Sequence, residues 1–151
     1  MTIALTHATD LVVELSPPHE MGKSPAGKRR IIPIVGGTAQ GPLLSGRILP
    51  IGADWQTVLA GGIADLDARY AIETADGAVV ELISQGIRHA SLEVNARIAG
   101  GEEVDPSEYY MRTSIRLESG HPDYDWVNRA LFLATGGKVG NTVRLSVWRV
   151  D

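Results

Sequence analysis

Apolar and polar residues alternate with a period of two along most of this chain, most densely from Leu66 to His89. Two runs of strand-forming residues there flank Asp76-Gly77, a dipeptide suited to a tight type I′ hairpin turn. A two-residue loop pairs Ala75 with Ala78, sets Arg69 opposite Ser84 and sets Glu73 opposite Val80. One face of this predicted hairpin carries Arg69, Ala71, Glu73, Val80, Leu82, Ser84, Gly86 and Arg88. The other carries Tyr70, Ile72, Thr74, Val79, Glu81, Ile83, Gln85 and Ile87. Both faces mix polar and apolar groups, so both are expected to meet something. That pattern suits a barrel wall with a partly polar lumen better than a flat sandwich wetted on one side.

The same alternation predicts strands at Leu5 to Leu15, Ile31 to Val35, Asp54 to Leu59 and Tyr109 to Leu117. In the last of these, Tyr110, Arg112, Ser114 and Arg116 share one face. Arg129 to Ala134 and Thr142 to Val150 read as two closing strands around a Gly136-Gly137 turn. Ser16 to Arg29 reads as a loop from its prolines, glycines and basic residues. Gly36, Gly37, Gly41 and Gly46 are too closely spaced for a helix and mark bends or bulges in strands. Ala90 to Ala99 is the one plausible helix, ended by Gly100-Gly101. His121 to Asn128 reads as a loop with a helical turn around Trp126. With roughly eight to ten strands and short connections, an all-β antiparallel β-barrel with one short helix is the expected architecture, a sandwich the alternative. The 151 residues are expected to form a single domain.

Composition narrows the chemistry. Cysteine is absent, which excludes disulfides, thiolate metal sites and cysteine nucleophiles. The net charge of −4 is mild and mixed in sign, so no nucleic-acid partner is expected. No apolar run approaches the ~20 residues of a membrane helix, and the first residues lack the basic start of a secretory signal. No membrane partner and a cytoplasmic location are therefore expected. His7, His19, His89 and His121 are not spaced for a compact metal site, so neither metal nor cofactor is expected. A phosphate-loop pattern is absent around Gly36 to Gly41.

The candidate chemistry lies in arginines set among apolar strand residues. Arg69, Arg88 and Arg112 are rarely buried without a partner, and each one singly suits an ion pair with Asp54, Asp65, Asp67 or Glu93. Together with Tyr110 and Ser84 on one lumen, they would suit a carboxylate, enolate or phenolate. Asp54, at the end of a glycine-rich stretch, reads either as a cap on backbone N–H or as a general base inside the cavity. Trp55 and Leu82 would support the apolar body of a ligand.

The run PIVGGTAQGPLLSGRILPIGADWQ, with LDARYAIETADGAVV, SQGIRH, SEYYMRT and Trp126-Val127-Asn128, resembles the DUF3237 family, also called UPF0311. The resemblance spans about Arg29 to Asp151. It implies a small barrel similar to allene oxide cyclase-like and streptavidin-like barrels, without a settled activity. Its recurring polar positions fall on Asp54, Arg69, Tyr70, Arg88, Tyr110, Arg112 and Asn128. The family usually carries a second glycine near Ile51-Gly52-Ala53 and aromatics where Ala39, Met111 and Leu117 stand, so this interior is expected to be wider or differently lined. The expected function is a cofactor-free isomerase, cyclase or lyase working by acid/base catalysis on a small, partly apolar, anionic or enolisable molecule. A non-catalytic binding or carrier barrel is the alternative. In either case a homodimer is expected, because apolar residues on both hairpin faces leave an outer face to cover.

Overall fold

The computed structural model describes residues 1–151. Its antiparallel sheet comprises β1 (Leu5–Leu15), β2 (His19–Ser24), β3 (Gly27–Gln40), β4 (Gly46–Val58) and β5 (Ile63–Glu73). It continues with β6 (Val79–His89), β7 (Tyr110–Glu118), β8 (Phe132–Val139) and β9 (Thr142–Val150). The strand order is β1-β9-β8-β7-β6-β5-β4-β3-β2, and β1 also pairs with β3. Eight strands thus close into a barrel, and β2 is a ninth strand attached to β3 alone. No helix is long and apolar enough to cross a membrane.

Local signals explain most element ends. Helix α1 (Leu92–Ala99) starts where Ser91 Oγ accepts the Val94 N–H at 3.1 Å, and ends at Gly100-Gly101. Three expectations change. The stretch Ser16 to Arg29 is not all loop: its centre is the β2–β3 hairpin, with Lys23 opposite Lys28. Its polar composition reflects exposure, because this hairpin projects from the barrel rim, and its backbone bonds are supplied by β3. The predicted Ile31–Val35 and Asp54–Leu59 strands are the halves nearest the rim of longer, bent β3 and β4. The Gly136-Gly137 turn is also displaced, since both glycines lie inside β8 and the chain reverses at Gly140-Asn141. Gly137 serves close packing instead: a Cβ there would press on Pro106 and the Tyr109 hydroxyl.

The central hairpin has its tip at Asp76-Gly77, but its loop has three residues rather than two. Thr74 N–H donates to Ala78 O at 2.9 Å and Gly77 N–H to Thr74 O at 3.0 Å, with Gly77 at φ 82°. This is a turn followed by a left-handed glycine. The Thr74 hydroxyl also bonds the Asp76 carboxylate and accepts the Ala78 N–H at 3.0 Å, which favours this loop locally. Arg69 therefore pairs with Ile83, Glu73 with Val79, and Ala68 with Ser84. A slip of one residue exchanges the faces of a strand. The inner face of β6 remains Val80, Leu82, Ser84 and Arg88, but its partners on β5 are Ala68, Tyr70 and Ile72. Replacing Gly77 with Val should cost about 1–3 kcal/mol, because a β-branched residue resists positive φ and no neighbour crowds the site. Equal melting temperatures for the two proteins would refute this strain.

The barrel is packed at one end and hollow at the other. Ile48, Ile72, Val80, Leu82, Ile115, Leu117, Val127 and Phe132 fill the end near the hairpin tip. Full burial of each such aliphatic or aromatic side chain contributes about 1.5–3 kcal/mol. A 3-10 helix, Pro122–Arg129, closes this end and contains the turn expected around Trp126. Trp126 packs against Phe132 with ring centres 6.1 Å apart, and the Tyr124 hydroxyl donates to Asp76 at 3.2 Å. The opposite end is left open, and the polar interior residues gather there.

Candidate functional site

The hollow end holds a cavity of about 590 Å³, whose rim includes Ser16, Pro17, Pro18, Gly101, Gly140 and Asn141. Its wall is apolar where Ile32, Ile34, Leu66, Met111, Val143 and Leu145 face inward. Alternation on each strand brings the polar groups to the same space: Arg30 from β3, Asp54 and Gln56 from β4, Tyr70 from β5, Ser84 and Arg88 from β6, Thr113 from β7 and Lys138 from β8.

Asp54 is fixed by β5 and by its own strand, β4. Its Oδ1 accepts the backbone N–H of Asp67 at 2.9 Å, and its Oδ2 accepts from Gln56 Nε2 at 3.2 Å. Gln56 Oε1 in turn accepts from Arg30 Nε at 2.7 Å. The backbone-cap reading of Asp54 thus holds through Oδ1, and the same carboxylate also lines the cavity. Burial raises the Asp54 pKa, and the bonds from Asp67 and Gln56 oppose that rise without cancelling it.

Opposite this single carboxylate stand Arg30, Arg88 and Lys138, and none of the three forms an ion pair. Arg88 is held below its usual pKa by burial and then by Arg30. Lys138 is likewise lowered by burial and then by the charges of Arg88 and Arg30. Burial, followed by the charge of Asp54, keeps the Tyr70 hydroxyl protonated. Tyr70 Oη, Arg88 Nε and Thr113 Oγ1 are buried atoms without any partner, and all three residues line the cavity. Unpaired charge and unused donors cost stability in a packed interior, and here they converge on one cavity. Its lining carries three cationic side chains and one carboxylate.

The residues expected from the sequence divide between two surfaces. Asp54, Tyr70, Ser84 and Arg88 meet in the cavity. Leu82 faces inward but lies in the packed core beyond it. Arg69, Trp55, Tyr110 and Arg112 stand on the outer wall. The hairpin slip turns Arg69 outward, 4.0 Å from Glu81. Trp55 is 46% exposed because Asp54 and Gln56 take the inward positions of β4. On β7 the inward face is Met111, Thr113, Ile115 and Leu117, which leaves Tyr110 half exposed with Arg112 stacked 5.2 Å from its ring centre. The more apolar face of β7 faces inward, where closure removes it from water. Asn128 lies at the packed end, where Oδ1 accepts the Ser119 N–H and Nδ2 donates to the Ser119 carbonyl, both at 2.9 Å.

Gln56, Thr113 and Lys138 were not singled out in the sequence, and Arg30 reads there only as part of a basic, loop-like cluster. Arg30 sits in a basic stretch that reads as a solvated loop, yet it shares the parity of Ile32 and Ile34. Gln56 shares the parity of Asp54 in the same way. Lys138 follows glycines that look like a turn, so no strand parity was assigned to it. At the packed end, ligand atoms of Asp76, His121 and Asp123 lie within 4.8 Å of one another. Internal bonds account for this grouping: Asp76 accepts from Thr74 and Tyr124, and His121 Nδ1 accepts the Asp123 N–H at 3.2 Å.

A closed eight-stranded barrel with a polar, cation-rich lumen defines the class of protein. Comparison with known proteins gives the family: residues 3–150 match the family described as "Protein of unknown function (DUF3237)", and the chain belongs to it. A UPF0311 protein of Rhodopseudomonas palustris is 42% identical over 129 residues, covering 85% of this chain and 84% of its own. The crystal structure of a conserved protein of unknown function from the same species superposes with a TM-score of 0.94 at 36% identity, covering 100% of this chain and 99% of that one. A beta-barrel like protein from Acinetobacter baumannii gives a TM-score of 0.87 at 40% identity, covering 100% and 98%. A chain described as an enzyme from Penicillium herquei shares the fold with a TM-score of 0.74 at 19% identity, covering 100% and 96%.

Proposed function

We propose that this barrel is a cofactor-free enzyme, an isomerase, cyclase or lyase, that moves a proton on a small, partly apolar carboxylate or enolisable molecule. The observation that carries this reading is one half-buried carboxylate, Asp54, sharing a cavity with Arg30 and Arg88, neither of them in an ion pair, and with the free hydroxyl of Tyr70. Arg88 and Arg30 hold the anionic group of the substrate. Asp54, with its pKa raised toward working pH, takes a proton from carbon and returns it elsewhere on the molecule. The protonated Tyr70 hydroxyl donates to the oxyanion that develops. Ile32, Leu66 and Met111 receive the apolar part and exclude water. That another protein of this fold is described as an enzyme agrees with the reading.

The test is exchange of carbon-bound hydrogen for deuterium in heavy water, followed by NMR over a panel of small enolisable carboxylates. The parent is expected to catalyse exchange, and Asp54→Asn to bind the same compounds without exchanging them. Binding without exchange in the parent would instead assign a carrier. The same variant carries a stability prediction. The folded-state pKa of Asp54 lies above the unfolded value, so its ionisation costs stability as pH rises through the folded pKa. Asp54→Asn should therefore melt above the parent at pH 7, and the gap should close below the usual carboxylate pKa of 3.8. A variant that melts lower at pH 7 would show that Asp54 is a structural cap.

A second copy of the chain is the partner we propose for the outer wall. Ile87, Tyr110, Leu131 and Leu133 expose apolar surface there. Light scattering at micromolar concentration should give the mass of a dimer, and a monomeric mass would remove this partner.

A further inference from the structure

Lys138 has no part in the proton transfer, yet it is the most reactive type of side chain in the cavity. Its place is fixed from both sides: its N–H donates to the Tyr109 hydroxyl at 2.8 Å, and it pairs with Val143 across β8 and β9. Its side chain joins Arg30 and Arg88 on the cavity wall and has no carboxylate partner. An amine confined with other cations in a desolvated space loses its proton more easily than one in water, and a free amine is a nucleophile.

We propose that Lys138 forms an imine with the carbonyl carbon of a small oxo acid whose carboxylate is held by Arg30 and Arg88. This rests on the anion-binding cavity proposed above and adds a covalent step to it. The Nζ lone pair attacks the carbonyl carbon, and the carbon–oxygen π pair moves to oxygen. The nitrogen loses its two protons in turn, and the oxygen gains two within the cavity and leaves as water. The nitrogen lone pair closes the C=N bond, so amine plus carbonyl becomes imine plus water without any oxidant or reductant. Protonated, the imine draws electrons from the adjacent carbon, which is where Asp54 would take a proton. The lowered pKa of Lys138 agrees with this role.

The chain contains three lysines, and Lys23 and Lys28 are exposed on the β2–β3 hairpin, where they serve as internal controls. The protein is incubated with pyruvate and sodium cyanoborohydride, digested, and mapped by mass spectrometry. Hydride adds to the imine carbon, so the trapped adduct adds the mass of the oxo acid less one oxygen atom. Lys138 is expected to be labelled several-fold faster than Lys23, Lys28 or the amino terminus. Lys138→Arg should keep the fold and the labelling of the other two lysines and lose the main adduct. Equal labelling of all amines, or none on Lys138, overturns the proposal. Propionate, which has no carbonyl to attack, separates the two readings. If it raises the melting temperature while pyruvate fails to label Lys138, the anion cavity stands and the imine falls. If propionate has no effect and no selective label forms, both fall.

Discussion

Arg88→Gln is expected to lower the affinity for small carboxylates by about 10- to 150-fold, the loss of a charge-assisted hydrogen-bond pair worth about 1.5–3 kcal/mol. The fold should survive. Removing one member of a buried ion pair costs about 3–5 kcal/mol because its partner is left charged and alone. Arg88 has no such partner, and its buried Nε bonds to nothing. Its removal instead relieves repulsion from Arg30 and Lys138, so the variant should melt within a few degrees of the parent or above it. Calorimetric titration with propionate, beside thermal melts, checks both halves. Arg112→Ala is the matched control, because that guanidinium lies on the outer wall against Tyr110, and its affinity should be unchanged. A deeply destabilised Arg88→Gln protein with a parent that binds no carboxylate would assign Arg88 to the fold alone.

Gly37→Val is expected to have the largest effect on stability. Gly37 pairs with Val13 where β1 meets β3, the seam that closes the barrel. Its φ is 132°, and an added Cβ would overlap the carbonyl oxygen of Val12 and crowd Ile48. Conformational strain alone costs about 1–3 kcal/mol, and separating the strands would expose Leu11 and Val13 besides. A total near 4 kcal/mol would lower the melting temperature by roughly 8–16 °C for a chain of this size. A change of a degree or two would mean that the seam adjusts freely. The effect should exceed that of Gly77→Val at the open hairpin tip, because the tip has space and the seam has none.

The wall of the barrel was legible in the sequence, and much of the cavity was not. Ser84 and Arg88 line the cavity as expected because they share the parity of Val80 and Leu82, whereas Asp54 stands out in the sequence for its place at the end of a glycine-rich stretch, and its apolar neighbour Trp55 faces outward. The family resemblance names Tyr70, while the hairpin reading puts it on the other face from Arg88. Arg69 shows why: the alternation says which residues share a face, and only the loop says which face meets which. A three-residue loop in place of two moved the whole of β5 by one place. The difference lies in small local bonds, Thr74 to Asp76 and Ala78, that composition around Asp76-Gly77 does not announce. Arg30 and Lys138 failed for another reason. Their neighbours are basic or glycine-rich, and such stretches read as loops until β4 and β9 supply the backbone partners that make them strands.

The sequence by itself determined most of the strands, the position of the hairpin tip, the short helix and the family, because period-two alternation, Asp76-Gly77 and Gly100-Gly101 act over a few residues. Only the tertiary structure decided which face of each strand became the lumen. On β7, Tyr110 and Arg112 would form as good a strand pointing in as pointing out. Closure of the barrel turned Met111, Ile115 and Leu117 inward because burying that face removes more apolar surface from water. The same closure brought Arg30, Asp54, Arg88 and Lys138, distant in the chain and unrelated by any local motif, to the wall of one cavity.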